Sequence, residues 1–294
     1  MFNFFCVNFH LTHFKKVMSI SAQDVNKLRQ MTGAGMMDCK KALTESGGDF
    51  EAAIDILRKK GQKVSASRSD KETTEGSVFI QMIDNDQEGV LVALGCETDF
   101  VAKTDDFVRL GNQILQAAVT QKPDSIDALA ALYIESRPIS DHITDLVGKI
   151  GEKVSIVHYE RVSGEKVISY IHSNGKLGVL VALKNLNGKE VTEVGKDVAM
   201  QIAAMRPVAL DKADVDPTLI EREIEIGKEQ ARAEGKPEAM LEKIAMGKLN
   251  RFYKDNTLLN QDFVKDNSLT IAQMLDAYSK GLTVSAFKRV ALGG

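Results

Sequence analysis

The sequence predicts an α+β protein: a three-helix module, then two related α+β core halves, with an antiparallel helical hairpin inserted in the second half. Three observations carry this. Short helical stripes punctuated by glycine pairs fill residues 18–61. The order strand, turn, buried strand, helix occurs over 76–119 and again over 166–205. Two charged helical segments meet at Glu234-Gly235-Lys236-Pro237. The expected division is an extension over 1–17, the module over 18–61, a linker over 62–75 and a first core half over 76–164. The second half takes 165–214 and 259–294, and the hairpin 215–258.

Residues 1–17 are rich in Phe and Asn, hold His10 and His13, and contain no acid. A secretory signal needs a charged start, an unbroken apolar stretch and a small-residue cleavage site. Here Asn3, Asn8, His10, Thr12 and His13 interrupt the apolar run, and Lys15 and Lys16 follow it. A transit peptide would normally carry Arg. The expectation is a disordered extension or a misassigned start, with Met18 the initiator.

Ser21 is a good N-cap, with Asp24 three positions on. Val25, Leu28 and Met31 recur at helical spacing, and Gly33 and Gly35 permit the tight turn that ends the helix. A second helix is predicted over 37–46, stopped by Gly47-Gly48. Asp49 caps a third, whose stripe of Phe50, Ala53, Ile54 and Leu57 runs up to Gly61. The polar, aperiodic stretch that follows reads as a linker that tethers the module.

The period then changes. Residues 77–83 and 90–96 read as strands around a polar turn. A helix over 105–119 carries Phe107, Leu110, Ile114, Leu115 and Ala118 on one face. Helices over 125–134 and 140–148 and a strand over 154–159 follow. The second passage has strands over 166–172 and 177–183 and a helix over 191–205. Arg206-Pro207 ends it, because a residue before proline is pushed out of the α region. Pro217 opens a charged helix at the position where its missing N–H is harmless. Ile220, Ile224, Gly227 and Ala231 share a stripe, and Leu241, Ile244, Ala245 and Leu249 return along the second arm. The arms are too short for a sustained heptad array, so a projecting hairpin is the expected form. Two roles stay open for it, pairing two copies into a homodimer or bracing a complex. A helix over 270–278 and a strand-like run over 282–290 close the chain.

With 38 basic and 41 acidic residues the net charge is −3. Capture of nucleic acid draws on a basic surface that neutralises phosphates, so the balance points to protein partners and to no direct nucleic acid. Three scattered cysteines, Cys6, Cys39 and Cys96, suit a reducing cytosol rather than a disulfide framework. The expected location is cytoplasmic. No apolar run nears the roughly 20 residues that cross a bilayer.

No catalytic constellation stands out, and no cofactor or metal is expected. Thr32-Gly33-Ala34-Gly35-Met36-Met37 lacks the third glycine and the preceding strand of a dinucleotide fingerprint. Gly175-Lys176 has neither a glycine-rich loop before it nor Ser or Thr after it. His142, His158 and His172 have no Cys or His at ligand spacing. An enzyme can still assemble its site from distant residues.

Two strings carry a resemblance. They are Leu28-Arg29-Gln30-Met31-Thr32-Gly33-Ala34-Gly35-Met36-Met37-Asp38-Cys39-Lys40-Lys41-Ala42-Leu43 and Cys96-Glu97-Thr98-Asp99-Phe100-Val101-Ala102-Lys103. Together they closely resemble the two signature motifs of the translation elongation factor Ts family, in the family's order. The layout from Met18 to Leu292 is also similar to that family's: a ubiquitin-associated-type three-helix module, a two-part core and an inserted coiled-coil hairpin. The resemblance implies guanine-nucleotide exchange on elongation factor Tu, with no bond made or broken by this chain. It implies that Thr98, Asp99, Phe100 and Val101 enter the partner near its magnesium, with Phe100 as a wedge and Asp99 perturbing the same region. It implies docking through Arg29, Met36 and Met37 on the partner's nucleotide domain, and through His172 towards its third domain.

Some alternatives stay open on the residues themselves. Asp99 can act by charge or by capping the following helix. Met36 and Met37 can dock or fill a core. A passive adaptor, built from the module and the hairpin, accounts for everything but the string from Thr98 to Lys103. Some family members carry a further helical segment after the last core strand. This chain ends at Gly293-Gly294, so the resemblance assigns no residue to that segment's contact.

Overall fold

Ser21 and Asp24 open the first helix with a reciprocal cap. The Asp24 N–H donates to Ser21 Oγ at 3.1 Å, and the Ser21 N–H donates back to the Asp24 carboxylate at 3.2 Å. The computed structural model describes residues 20–293. The extension 1–17, the Met18 start, Cys6 and the His10–His13 spacing lie outside the described residues. Helices α1 (Ala22–Thr32), α2 (Met36–Glu45) and α3 (Phe50–Ser67) pack around Val25, Leu28, Cys39, Ala42, Leu43 and Ala53. Gly33 ends α1 at φ 66°, and Asp49 caps α3.

The third helix does not stop near Gly61 but continues to Ser67. Gly61 stays helical because its bare backbone crosses that of Gly148 in α7 (Ile139–Ile150). Of the stretch that read as linker, residues 62–67 form the last turns of α3. The irregular remainder, 68–74, is pinned: Arg68 pairs with Glu97 at 3.2 Å, and Lys153 Nζ donates to the carbonyls of Ser69 and Lys71. The module is packed on the core rather than tethered to it.

In the first half, β1 (Glu75–Ile83) and β2 (Glu88–Cys96) form a hairpin. After it come α4 (Asp99–Ala102), α5 (Asp105–Gln121) and α6 (Ile126–Ala131). The helix expected over 125–134 is this short because Glu135 and Ser136, at φ 50° and 72°, turn β3 (Tyr133–Ile134) onto β4 (Arg137–Pro138). Next along the chain are α7 and β5 (Val154–Ser163), which pairs antiparallel with β2. The second half repeats the plan with β6 (Lys166–Ile171), β7 (Leu177–Lys184) and α8 (Thr192–Met205). The hairpin is α9 (Pro217–Ala233) and α10 (Glu238–Asn256). The small ribbon of β8 (Asp262–Phe263) and β9 (Asp266–Thr270), α11 (Ile271–Tyr278) and β10 (Thr283–Ala291) close the chain. Pairs Lys228–Glu242 and Arg232–Glu238 run across the hairpin in antiparallel order.

The sheets have the orders β1-β2-β5 and β10-β7-β6. They lie face to face, because the central strands are apolar on both sides. Leu91 and Ala93 of β2 meet Leu180 and Ala182 of β7, while Val90, Val92 and Leu94 face α5 and Val179, Val181 and Leu183 face α8. Helix, sheet, sheet and helix thus form four layers of an α+β protein. Among the described residues no helix is long and apolar enough to cross a membrane.

Candidate protein-docking site

Strand β2 leaves the core at Cys96, and the chain turns outward through Glu97 and Thr98 into α4. Thr98 holds this exit. Its Oγ1 accepts from the Val101 N–H at 3.5 Å and donates to the Glu152 carboxylate at 3.0 Å, and its own N–H donates to Glu152 at 3.2 Å. Glu97 accepts from the Lys153 N–H at 2.7 Å and pairs with Arg68. Thr104 closes the far end, donating to the Val101 carbonyl and accepting from the Phe107 N–H. The motif is therefore a braced helical turn between the core and α5.

On this turn, Val101 and Ala102 point inward and Phe100 points out. Val101 is 5% exposed and Phe100 79%. Exposing a ring of this size forgoes about 1.5–3 kcal/mol of burial, and nothing in the chain's own core recovers it. The aromatic side chain sits on the first turn of a short helix. The cap of that helix is Thr98, one residue before Asp99. Asp99 instead accepts from Lys103 at 2.6 Å. That hydrogen bond holds its carboxyl below the usual carboxylate range, and it holds the Lys103 amine above its own. Both side chains are well exposed, so the pair is weak and open to exchange for another partner.

The other expected residues lie on the surface. Arg29, Met36 and Met37 are all exposed, which excludes a core role for the two methionines. The turn after α1 abuts the core beside Lys149, whose amine pairs with Asp106 in the first turn of α5. His172 is exposed in the β6–β7 turn, with its Nδ1 2.8 Å from the Tyr170 hydroxyl. The sheets bring that turn to the end of the core that carries α4. The Val78 N–H donates to Gly175 O at 2.8 Å, Lys176 pairs with Glu75, and Glu75 lies opposite Cys96. Phe100 and His172 thus belong to one end of the molecule.

Burial, aided by the charges of Glu152 and Glu75, pushes the Cys96 thiol up to about 12. Among the described residues no group of His, Cys, Asp and Glu is placed to hold a metal ion. The arrangement is a braced turn with a projecting, solvated ring.

A model of the family described as Elongation factor TS matches residues 97–294. Elongation factor Ts of Cytophaga hutchinsonii is 66% identical over 275 residues, covering 93% of this chain and 99% of the relative. The chain belongs to the elongation factor Ts family. Elongation factor Ts of Amoebophilus asiaticus is 55% identical over 276 residues, 94% of this chain and all of the relative, and that of Porphyromonas gingivalis is 50% identical over 276, with 94% and 99% covered. Membership places the chain among the translation elongation factors of protein biosynthesis.

For a member of the elongation factor Ts family, what the sequence left hidden is the bracing. Glu152 and Lys153 lie more than fifty residues from the turn they hold, in a Gly-Glu-Lys stretch with no motif of its own. Met31, exposed near the end of α1, was readable only as a helical-stripe residue.

Proposed function

We propose that this chain is a guanine-nucleotide exchange factor for elongation factor Tu, acting in the cytoplasm and making or breaking no bond itself. It docks through Arg29, Met36 and Met37 of its ubiquitin-associated-type module and through His172. It inserts Asp99 and Phe100 beside the partner's magnesium, while Thr98 and Val101 anchor the inserted turn. The observation that carries this reading is the Phe100 ring, 79% exposed on a turn braced from both ends. Magnesium holds nucleotide phosphates in near-ideal octahedral geometry. A small displacement of its ligands therefore weakens GDP strongly, and a ring on a fixed support is suited to cause one.

Burying Phe is worth about 1.5–3 kcal/mol, and each tenfold in rate needs about 1.4 kcal/mol. Phe100 alone accounts for about one to two decades of faster release, and the rest draws on the docking contacts. Coupling is reciprocal: an interface that loosens GDP is itself loosened when nucleotide binds. GTP thereby expels the factor.

Stopped-flow release of a fluorescent GDP from elongation factor Tu tests the reading. The chain added in catalytic amounts accelerates release, and Phe100→Ala loses about one to two decades of that acceleration with its fold unchanged. Binding without any effect on release would return the chain to the adaptor class. Sedimentation with and without residues 217–254 separates a dimerising hairpin from a bracing one.

A further inference from the structure

The two core halves share a construction in which one charge has been exchanged for an apolar residue. Gly89-Val90-Leu91-Val92-Ala93-Leu94 of β2 recurs unchanged as Gly178-Val179-Leu180-Val181-Ala182-Leu183 of β7. An arginine lies opposite the same valine in each sheet, Arg161 across from Val90 and Arg289 across from Val179. The long helix packed on each central strand, α5 or α8, ends on a basic residue in the left-handed region, directly before a proline. Lys122 has φ 48° before Pro123, and Arg206 has φ 49° before Pro207. Such a conformation costs a non-glycine residue of this kind free energy, and glycine would remove the cost.

In the first half the two cations share an acid. Glu88, the residue before the repeated hexapeptide, is 6% exposed. Its carboxylate accepts from Arg161 Nε at 2.9 Å and from the second Arg161 donor at 2.7 Å, and it pairs with Lys122. The residue before the hexapeptide in the second half is Leu177. Both cations are kept there and the acid is not. Arg206 and Arg289 line one open cleft of about 590 Å³. Its one lining acid, Glu160, is already paired with Lys288 at 3.0 Å. Arg289 donates Nε to the Ala203 carbonyl at 3.3 Å, and neither arginine forms an ion pair among the described residues. Burial first, and then the neighbouring charge of Arg206, hold Arg289 below the usual arginine range. Two like charges lining one open cleft are stabilised by an anion between them.

We infer that Arg206 and Arg289 form a carboxylate-receiving site that an acidic side chain of a protein partner fills, as Glu88 fills the matching site within the chain. The internal counterpart defines the chemistry: a planar carboxylate against a guanidinium, with a second cation beside it. Met205 and Val208, exposed on either side of Arg206, suit a protein surface that brings apolar area along with the acid. The inference stands on the geometry of the second core half and is independent of the exchange reading.

Arginine side-chain N–H resonances of the full chain, titrated with N-acetyl-glutamate amide, test it. The Arg206 and Arg289 resonances shift, the glutamine counterpart leaves them in place, and Arg161, already held by Glu88, does not respond. Arg206→Gln and Arg289→Gln each weaken the response about tenfold or more, the loss that one charge-assisted partner commonly represents. Leu177→Glu, which restores the acid at the Glu88 position, moves the same resonances without added ligand and abolishes the titration. Absence of any response overturns the site, and so does an equal response at Arg161. A response to inorganic phosphate with none to the carboxylate probe overturns the assignment of an acidic side chain.

Discussion

Gly61 of α3 and Gly148 of α7 are in backbone contact: a Cβ built on Gly148 would lie 2.7 Å from the Gly61 Cα. Glycine inside a helix costs about 1 kcal/mol relative to alanine, so two helices give up that free energy to approach this closely. Gly148→Ala recovers the propensity term but overpacks the crossing, at about 1–3 kcal/mol. The expected outcome is a lower thermal midpoint, with faster amide exchange in the last turns of α3, where the module leaves the core. An unchanged midpoint and unchanged exchange would mean that the crossing has slack.

Phe100 and Val101 lie side by side in one turn, one solvated and the other buried. Phe100→Ala leaves the urea midpoint where it was, since its ring is solvated. Val101→Ala lowers stability by about 1.5–3 kcal/mol, and it slows stimulated GDP release only to the extent that the turn loosens. Equal destabilisation by the two variants would contradict the placement of the ring outside the core.

Much of this architecture was legible because it is local. Ser21, Asp49 and Pro217 mark helix starts through groups within three residues of one another. The apolar runs of β2 and β7 announce strands covered on both faces. What the chain concealed depends on contacts between distant residues. Gly61 reads as a stop until Gly148 is seen beneath it. Residues 62–67 read as a linker because a helix exposed on one face is polar there. The turn at Thr98 shows its ring in the motif but not its support, since Glu152 is brought in only by the pairing of β2 with β5. The weak β3–β4 and β8–β9 ribbons have no periodicity long enough to read.

Thr98→Val tests that support. It removes a helix cap, worth about 1 kcal/mol, and leaves the Glu152 carboxylate with only the Thr98 N–H from this turn. The expected result is a loss of about 1–2 kcal/mol in urea unfolding, together with slower stimulated GDP release. Thr98→Ser retains the hydroxyl and restores both. A valine variant with full exchange activity would show that the ring needs no fixed mount.

Glu88 links the fold to pH. Burial pushes its carboxyl up, but Lys122 and Arg161 together outweigh that and hold it below its ordinary value. A carboxylate lowered on folding contributes stability above its unfolded value, near 4.3. That contribution is lost as pH falls through the folded value. Glu88→Gln removes the charge and leaves Lys122 and Arg161 facing each other. The two cations keep 40% and 31% side-chain exposure, so the cost at neutral pH falls short of the about 3–5 kcal/mol of a fully buried broken pair. Urea midpoints of the chain and the variant, followed from pH 7 to pH 3, should lie apart at neutral pH and converge as the native carboxylate takes up its proton. A gap that stays constant with pH would mean that Glu88 contributes packing rather than charge, and the carboxylate-receiving role inferred for Arg206 and Arg289 would lose its internal precedent.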